Sequence, residues 1–225
     1  HKMRAVWIPF IFMARKLSLL LILLTLLLPP GMTLAADLST AILSAAPVWT
    51  SEGVANGEEF GISVASAGDI NQDGYPDALV GAQKFLIGSE RTGAAFVFMG
   101  GPGGLPDTAD QQLSTLDSGS YFGGAVGGAG DVNGDGYADV IVGAPQHHEA
   151  FGHEGAAYLY LGSEDGLIEV PAWSKTILAA DAQFGSAISG AGDVNRDGYD
   201  DVLVGAQTFT DGQTNEGAVF LFLGS

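Results

Sequence analysis

Phe-Gly recurs at Phe60-Gly61, Phe122-Gly123 and Phe184-Gly185, 62 residues apart both times and without a gap. Aligned on these pairs over 41 columns, the three copies carry the same residue in sixteen. A chain that repeats so closely at a fixed period folds as a series of like units, because each copy has the same apolar pattern and must bury it against its neighbours. Within one copy, residues 184–191 form a short run rich in small residues and 201–206 a continuous apolar run. Residues 217–223 then alternate aromatic and aliphatic side chains. These are strand patterns, and no segment beyond the first 36 residues sustains a 3.6-residue period. Fourth strands are predicted at 111–116 after the first copy and 172–178 after the second. Four antiparallel strands per 62-residue unit, with glycine at the turns, is the pattern of a β-propeller blade; a solenoid coil has a shorter period. The fold class expected is all-β, a partial propeller.

The phase of the repeat divides the chain. Pro47-Val48-Trp49-Thr50 stands two periods before Pro171-Ala172-Trp173-Ser174, so a fourth strand is expected at the start, ahead of blades of four, four and three strands. The divisions are 1–36, a signal peptide; 37–59, a lead-in with that orphan strand; and repeats at 60–121, 122–183 and 184–225, the last without its fourth strand. The signal reading rests on Arg15-Lys16, an apolar run over residues 17–28 broken only by Ser18 and Thr25, and small residues up to Ala35-Ala36. Thr33 and Ala35 suit cleavage after Ala35, and a cut after Ala36 fits nearly as well. The apolar run is shorter than the ~20 residues of a membrane helix, and an uncleaved signal-anchor is the competing reading. Secretion, to the cell surface or periplasm, is expected. Because propellers have about four to eight blades, three imply either a piece of a larger ring or self-association through open blade edges.

Charge narrows the partners. From Asp37 onward four cations stand against 26 acids, a balance that repels phosphate backbones and anionic lipid. Nucleic-acid binding and a peripheral membrane role are excluded, and the membrane enters only through the signal segment. The absence of cysteine excludes disulfides, thiolate metal sites and a cysteine nucleophile.

Cations are the natural partners of such a chain, and every copy has a place for one. Between its first two strands runs Asp-x-Asn-x-Asp-Gly-x-x-Asp: Asp69, Asn71, Asp73 and Asp77; Asp131, Asn133, Asp135 and Asp139; Asp193, Asn195, Asp197 and Asp201. Side chains at positions 1, 3 and 5 can face one centre when the backbone wraps tightly, and glycine at position 6 permits the turn. The carbonyls of Tyr75, Tyr137 and Tyr199 at position 7 add a donor each, and the position 9 carboxylate can bind through both oxygens. About six or seven hard oxygens result, which suits Ca²⁺ and not Zn²⁺. About three calcium ions are expected, one per repeat. An EF-hand shares positions 1, 3, 5 and 6, but its bidentate acid comes at position 12 and a helix follows; here a strand does.

These motifs, with Gly143-Ala144-Pro145, resemble the FG-GAP repeats of the integrin alpha-subunit β-propeller and, more closely, bacterial secreted relatives. The resemblance covers about residues 46–225. It implies calcium in hairpin loops of a seven-bladed, non-enzymatic propeller that serves extracellular adhesion or recognition of a protein or glycan. The competing implication is an accessory propeller of an extracellular hydrolase, phospholipase D-like or polysaccharide-active, whose catalytic part lies elsewhere. Gln83 and Gln207 depart from the pattern where Pro145 meets it.

Ligand recognition is assigned to the loops 83–92, 145–154 and 207–216, of equal length and differing composition. His147, His148 and His153 fall in the middle one, and variable loop composition explains them more simply than a metal site. Gly127-Gly128-Ala129-Gly130 is read as tight β packing, since it precedes an acidic loop and no helix. Phe60, Phe122 and Phe184 with Tyr75, Tyr137 and Tyr199 are expected in the interblade core. Ser63 and Ser186 have no recurring histidine partner, so no catalytic constellation is assigned.

Overall fold

The computed structural model describes residues 43, 44, 46–150 and 152–225. The expected signal peptide lies outside them. By internal contacts the chain divides into units 1–48 and 49–225, and all strands described below lie in the second.

The first blade consists of β1 (Phe60–Gly68), β2 (Asp77–Ala82), β5 (Ala94–Phe98) and β6 (Gln111–Leu113), antiparallel in the order β1-β2-β5-β6. Between β2 and β5, the strands β3 (Leu86–Ile87) and β4 (Glu90–Arg91) pair as a small hairpin, which the sequence pattern did not suggest. The second blade is β7 (Ala125–Gly130), β8 (Asp139–Ala144), β9 (Ala156–Tyr160) and β10 (Trp173–Thr176); the third is β11 (Phe184–Gly192), β12 (Asp201–Ala206) and β13 (Ala218–Phe222). Register repeats with the sequence: Ala82 faces Ala94, Ala144 faces Ala156 and Ala206 faces Ala218. The three sheets stack without closing a ring, a partial propeller as expected.

Why the blades stack is visible at the Phe-Gly pairs. Phe122 and Phe184 are fully buried, and each sits in one of two apolar clusters, Phe122 with Leu79, Val97, Val142 and Tyr160, Phe184 with Ile141, Val202 and Val204. Burying a phenylalanine this completely contributes about 2–3 kcal/mol. The glycines beside them permit the approach. A Cβ on Gly81 would stand 2.0 Å from the Gly123 carbonyl oxygen, and one on Gly143 2.0 Å from that of Gly185. The first half of the Gly-Ala motif is therefore a contact surface for the next blade.

Two expectations are corrected. No strand forms over residues 47–51; a strand needs an edge to pair with, and none of the described strands pairs with this segment. Trp49 nonetheless meets Phe98 edge to face at 5.1 Å, as Trp173 meets Phe222 at 5.0 Å two periods later. The second correction concerns the repeated tyrosines: Tyr75 is exposed and Tyr137 and Tyr199 are only half-buried, because position 7 lies on the outer turn of the loop. Of the repeated aromatics, only Phe122 and Phe184 enter the core; Phe60 in the first blade is half-buried beside Phe96.

Candidate metal centre

Each acidic loop joins the first two strands of its blade, entering at Gly68, Gly130 or Gly192, which pair with Asp77, Asp139 and Asp201 across a register shift. The loop then closes on its own amides through a set of bonds common to all three copies, to which the middle loop adds a Gly134 N–H donated to Asp131 at 2.7 Å. The position 1 carboxylates of Asp69, Asp131 and Asp193 accept the N–H of Asp73, Asp135 and Asp197 at 3.1, 3.0 and 3.0 Å. Their second oxygens accept the N–H of Gly74, Gly136 and Gly198 at 2.9, 2.9 and 3.0 Å. These glycines have φ of +90°, +92° and +97°, a left-handed turn that a side chain would strain. The oxygens of Asn71, Asn133 and Asn195 accept the same position 5 amides. Their amide nitrogens donate to the position 5 carboxylates at 3.3, 2.8 and 2.7 Å. The other oxygen of each position 5 carboxylate accepts the tyrosine N–H at 2.9–3.0 Å.

Positions 1, 3 and 5 are thus gathered in one exposed turn, while position 9 is somewhere else. Asp77, Asp139 and Asp201 are buried at 3%, 0% and 1% exposure. One oxygen of each accepts the position 2 amide, of Ile70, Val132 or Val194, at 2.7–2.9 Å. The other accepts the amide of Gly100, Gly162 or Gly224, just beyond the third strand, at 2.7–2.9 Å. This carboxylate pins the loop to the far side of its blade, a role that spacing alone did not disclose. It reaches an ion only through the lone pairs these bonds leave free.

Burial pushes the Asp139 carboxyl up to about 6; the Gly162 and Val132 amides oppose the shift, and the neighbouring charges of Asp135 and Asp131 add to it. Asp77 is raised in the same way, by burial first, with the charges of Asp73 and Asp69 contributing. Three carboxylates therefore bear on one another in one loop, and a divalent cation relieves that repulsion. The donors are all oxygens, which fits calcium. Among the described residues no three His, Asp or Glu side chains stand as a metal-holding group; positions 1, 3 and 5 bring together two carboxylates and an asparagine.

The remaining predicted features resolve as follows. His147 Nδ1 lies 2.5 Å from Asp117 in the connection between β6 and β7, and the His148 and His153 rings are 4.2 Å apart; the three histidines stand in a loop that Glu154 closes by accepting the amides of Glu149 and Ala150. The Ser63 hydroxyl donates to the Gly123 carbonyl and that of Ser186 to Gly205. Since strands alternate in direction, the loops 83–92, 145–154 and 207–216 occupy the opposite end of each blade from the acidic loops.

With this geometry in place, comparison with known proteins is informative. The family model described as "FG-GAP repeat" matches residues 60–98, 122–160 and 184–222. The chain is 35% identical to human integrin alpha-6 over 175 residues, 77% of the chain and 14% of that protein. It is 38% identical to integrin alpha-3 of Cricetulus griseus over 161 residues, 69% of the chain and 15% of that protein. It is 37% identical to integrin alpha-PS3 of Drosophila melanogaster over 176 residues, 74% of the chain and 14% of that protein. The chain thus spans about one-seventh of the length of these relatives.

Proposed function

Because this chain belongs to the FG-GAP repeat family, we propose that it is a secreted or cell-surface recognition and adhesion module, held together by calcium and active through its loops rather than through catalysis. One observation carries the reading: three acidic loops that share one set of hydrogen bonds sit at one end of the blades, away from three loops of variable composition at the other. A shared set suits a structural task that each blade must perform. Variability suits contact with a partner, an extracellular protein or a glycan.

In the middle repeat Asp131, Asn133 and Asp135, with the Tyr137 carbonyl, would hold the ion, and Asp139 would anchor the loop while offering a further oxygen. The ion supplies a positive charge among carboxylates that otherwise repel one another. The chain's own residues do the rest: Gly136 makes the turn, and Asp139 ties it to Val132 and Gly162. Sites of this class bind at about 10⁻⁴ to 10⁻³ M in extracellular modules, so calcium at the cell exterior keeps them filled.

The test is an array of matrix proteins and glycans probed with the full chain in calcium. Binding is expected to change when residues 145–154 are exchanged for the sequence of 207–216, and to survive Asp135→Ala in excess calcium. Binding that ignores the exchange but disappears with Asp135→Ala would place recognition on the acidic end and overturn this reading.

A further inference from the structure

Two places within the acidic loop differ in kind among the copies, position 4 (Gln72, Gly134, Arg196) and position 8 (Pro76, Ala138, Asp200), and the second bears on the neighbouring loop. The Ala138 N–H donates to the Asp69 carbonyl at 3.2 Å, a single backbone bond from the middle loop to the first. Asp200 does more. Its N–H donates to the Asp131 carbonyl at 3.0 Å, and its carboxylate accepts the Asp131 N–H at 3.0 Å, so one residue grips the Asp131 backbone from both sides. The Tyr199 ring, next in the chain, lies against Gly134 of the same middle loop.

Asp131 is the first donor of the middle loop, and Tyr199 and Asp201, which flank Asp200, belong to the donor set of the third. We propose that Asp200 is a positioning residue that couples cation uptake at the middle and third loops. The inference rests on the reading that these loops take calcium. An ion in the third loop fixes Tyr199 and Asp201 and hence the residue between them. Asp200 then holds the Asp131 backbone in place, so the middle loop is already ordered when its own ion arrives. Ordering that one ligand has completed need not be repeated for the other, which makes the second binding tighter. The effect is reciprocal, since a binding free energy shared by two sites acts equally in both directions. The link from the middle loop to the first has the Ala138 bond, with Gln72 lying against Gly136, but no side-chain hydrogen bond to the Asp69 backbone, so its coupling is weaker.

Amide NMR of the full chain during a calcium titration separates the two sites. Gly136 and Gly198 donate to the position 1 carboxylates of their own loops and so report each site individually. Asp197→Ala, which removes a donor from the third loop, is expected to raise the calcium midpoint at Gly136 by about tenfold, within the usual range for coupled sites. Asp135→Ala is expected to do the same at Gly198. Both cross-effects should vanish in Asp200→Ala and persist in Asp200→Asn, which keeps an acceptor oxygen and the backbone N–H. A purely structural Asp200 would lower both affinities without touching the cross-effects. Glycines that respond to calcium with midpoints indifferent to the other loop overturn the coupling and leave the calcium reading standing; a cross-effect that survives Asp200→Ala overturns the role of Asp200. Glycines that never respond overturn both. Should Asp200→Ala fail to fold, the reciprocal pair in the wild-type background, with Asp200→Asn, still decides.

Discussion

Replacing Asp139 by alanine separates the two tasks of the acidic loop. In the wild type this carboxylate, with 0% exposure, accepts the Val132 amide at 2.8 Å and the Gly162 amide at 2.9 Å. Both donors are themselves buried, so alanine leaves two amides without partners. Each orphaned buried donor costs about 1–3 kcal/mol. The cost of keeping a carboxylate buried among Asp135 and Asp131 is relieved at the same time, which places the net loss at about 2–4 kcal/mol. For a chain of this size that is roughly a 4–16 °C fall in melting temperature. The loss comes from hydrogen bonds, so it must appear in chelator as well as in calcium. Asp135→Ala removes a donor from the exposed turn and provides the contrast. It is expected to lose about 1.4 kcal/mol when free calcium stands tenfold above the dissociation constant, and little in chelator. Thermal and urea unfolding of both variants in both media gives the four values. An Asp139→Ala protein as stable in chelator as the wild type would refute the pinning role.

Other outcomes follow from the same contacts. In chelator, the folded state holds a proton on Asp139 up to about 6, above the unfolded value of 3.8, so this group's contribution is full below pH 3.8 and is lost as pH rises through about 6. Melting curves across that window should fall more steeply for the wild type than for Asp139→Asn; equal slopes contradict the assignment. Gly143→Ala places a methyl group 2.0 Å from the Gly185 carbonyl and should destabilise the blade stack by about 1–3 kcal/mol or more, measured by urea unfolding. Leu203, Val219 and Leu221 are exposed in the third blade, whereas Leu79, Ala95 and Val97 at the matching places in the first are buried. The 225-residue chain should therefore associate with rising concentration. Val219→Glu should keep it monomeric in sedimentation, and a wild type already monomeric throughout would contradict this.

Much of the fold was legible because short apolar runs recur in every copy at one fixed period. The six residues read as the second strand, 201–206, are those of β12, and the run over 217–223 contains β13 within one residue at each end. The strand expected over 47–51 failed because pairing depends on a neighbour, which a local pattern does not contain; its tryptophan packs on Phe98 all the same, as Trp173 does on Phe222. The small hairpin of β3 and β4 escaped notice because two residues a side are too short to show a period. At the site, the spacing of positions 1 to 7 marked the turn correctly. It said nothing of whether the position 9 carboxylate faces an ion or two amides, since either arrangement needs an acid at the same place. Asp200 was invisible for a different reason: it acts on a loop 69 residues away, and the other copies have no matching side chain.

Calorimetric titration of the chelated, folded chain with calcium tests the central claim most directly. The account expects uptake of about three ions per molecule with dissociation constants of about 10⁻⁴ to 10⁻³ M, accompanied by a rise in melting temperature. A chain that is folded, takes up no calcium and melts unchanged in excess chelator would show that the three acidic loops are turns and nothing more.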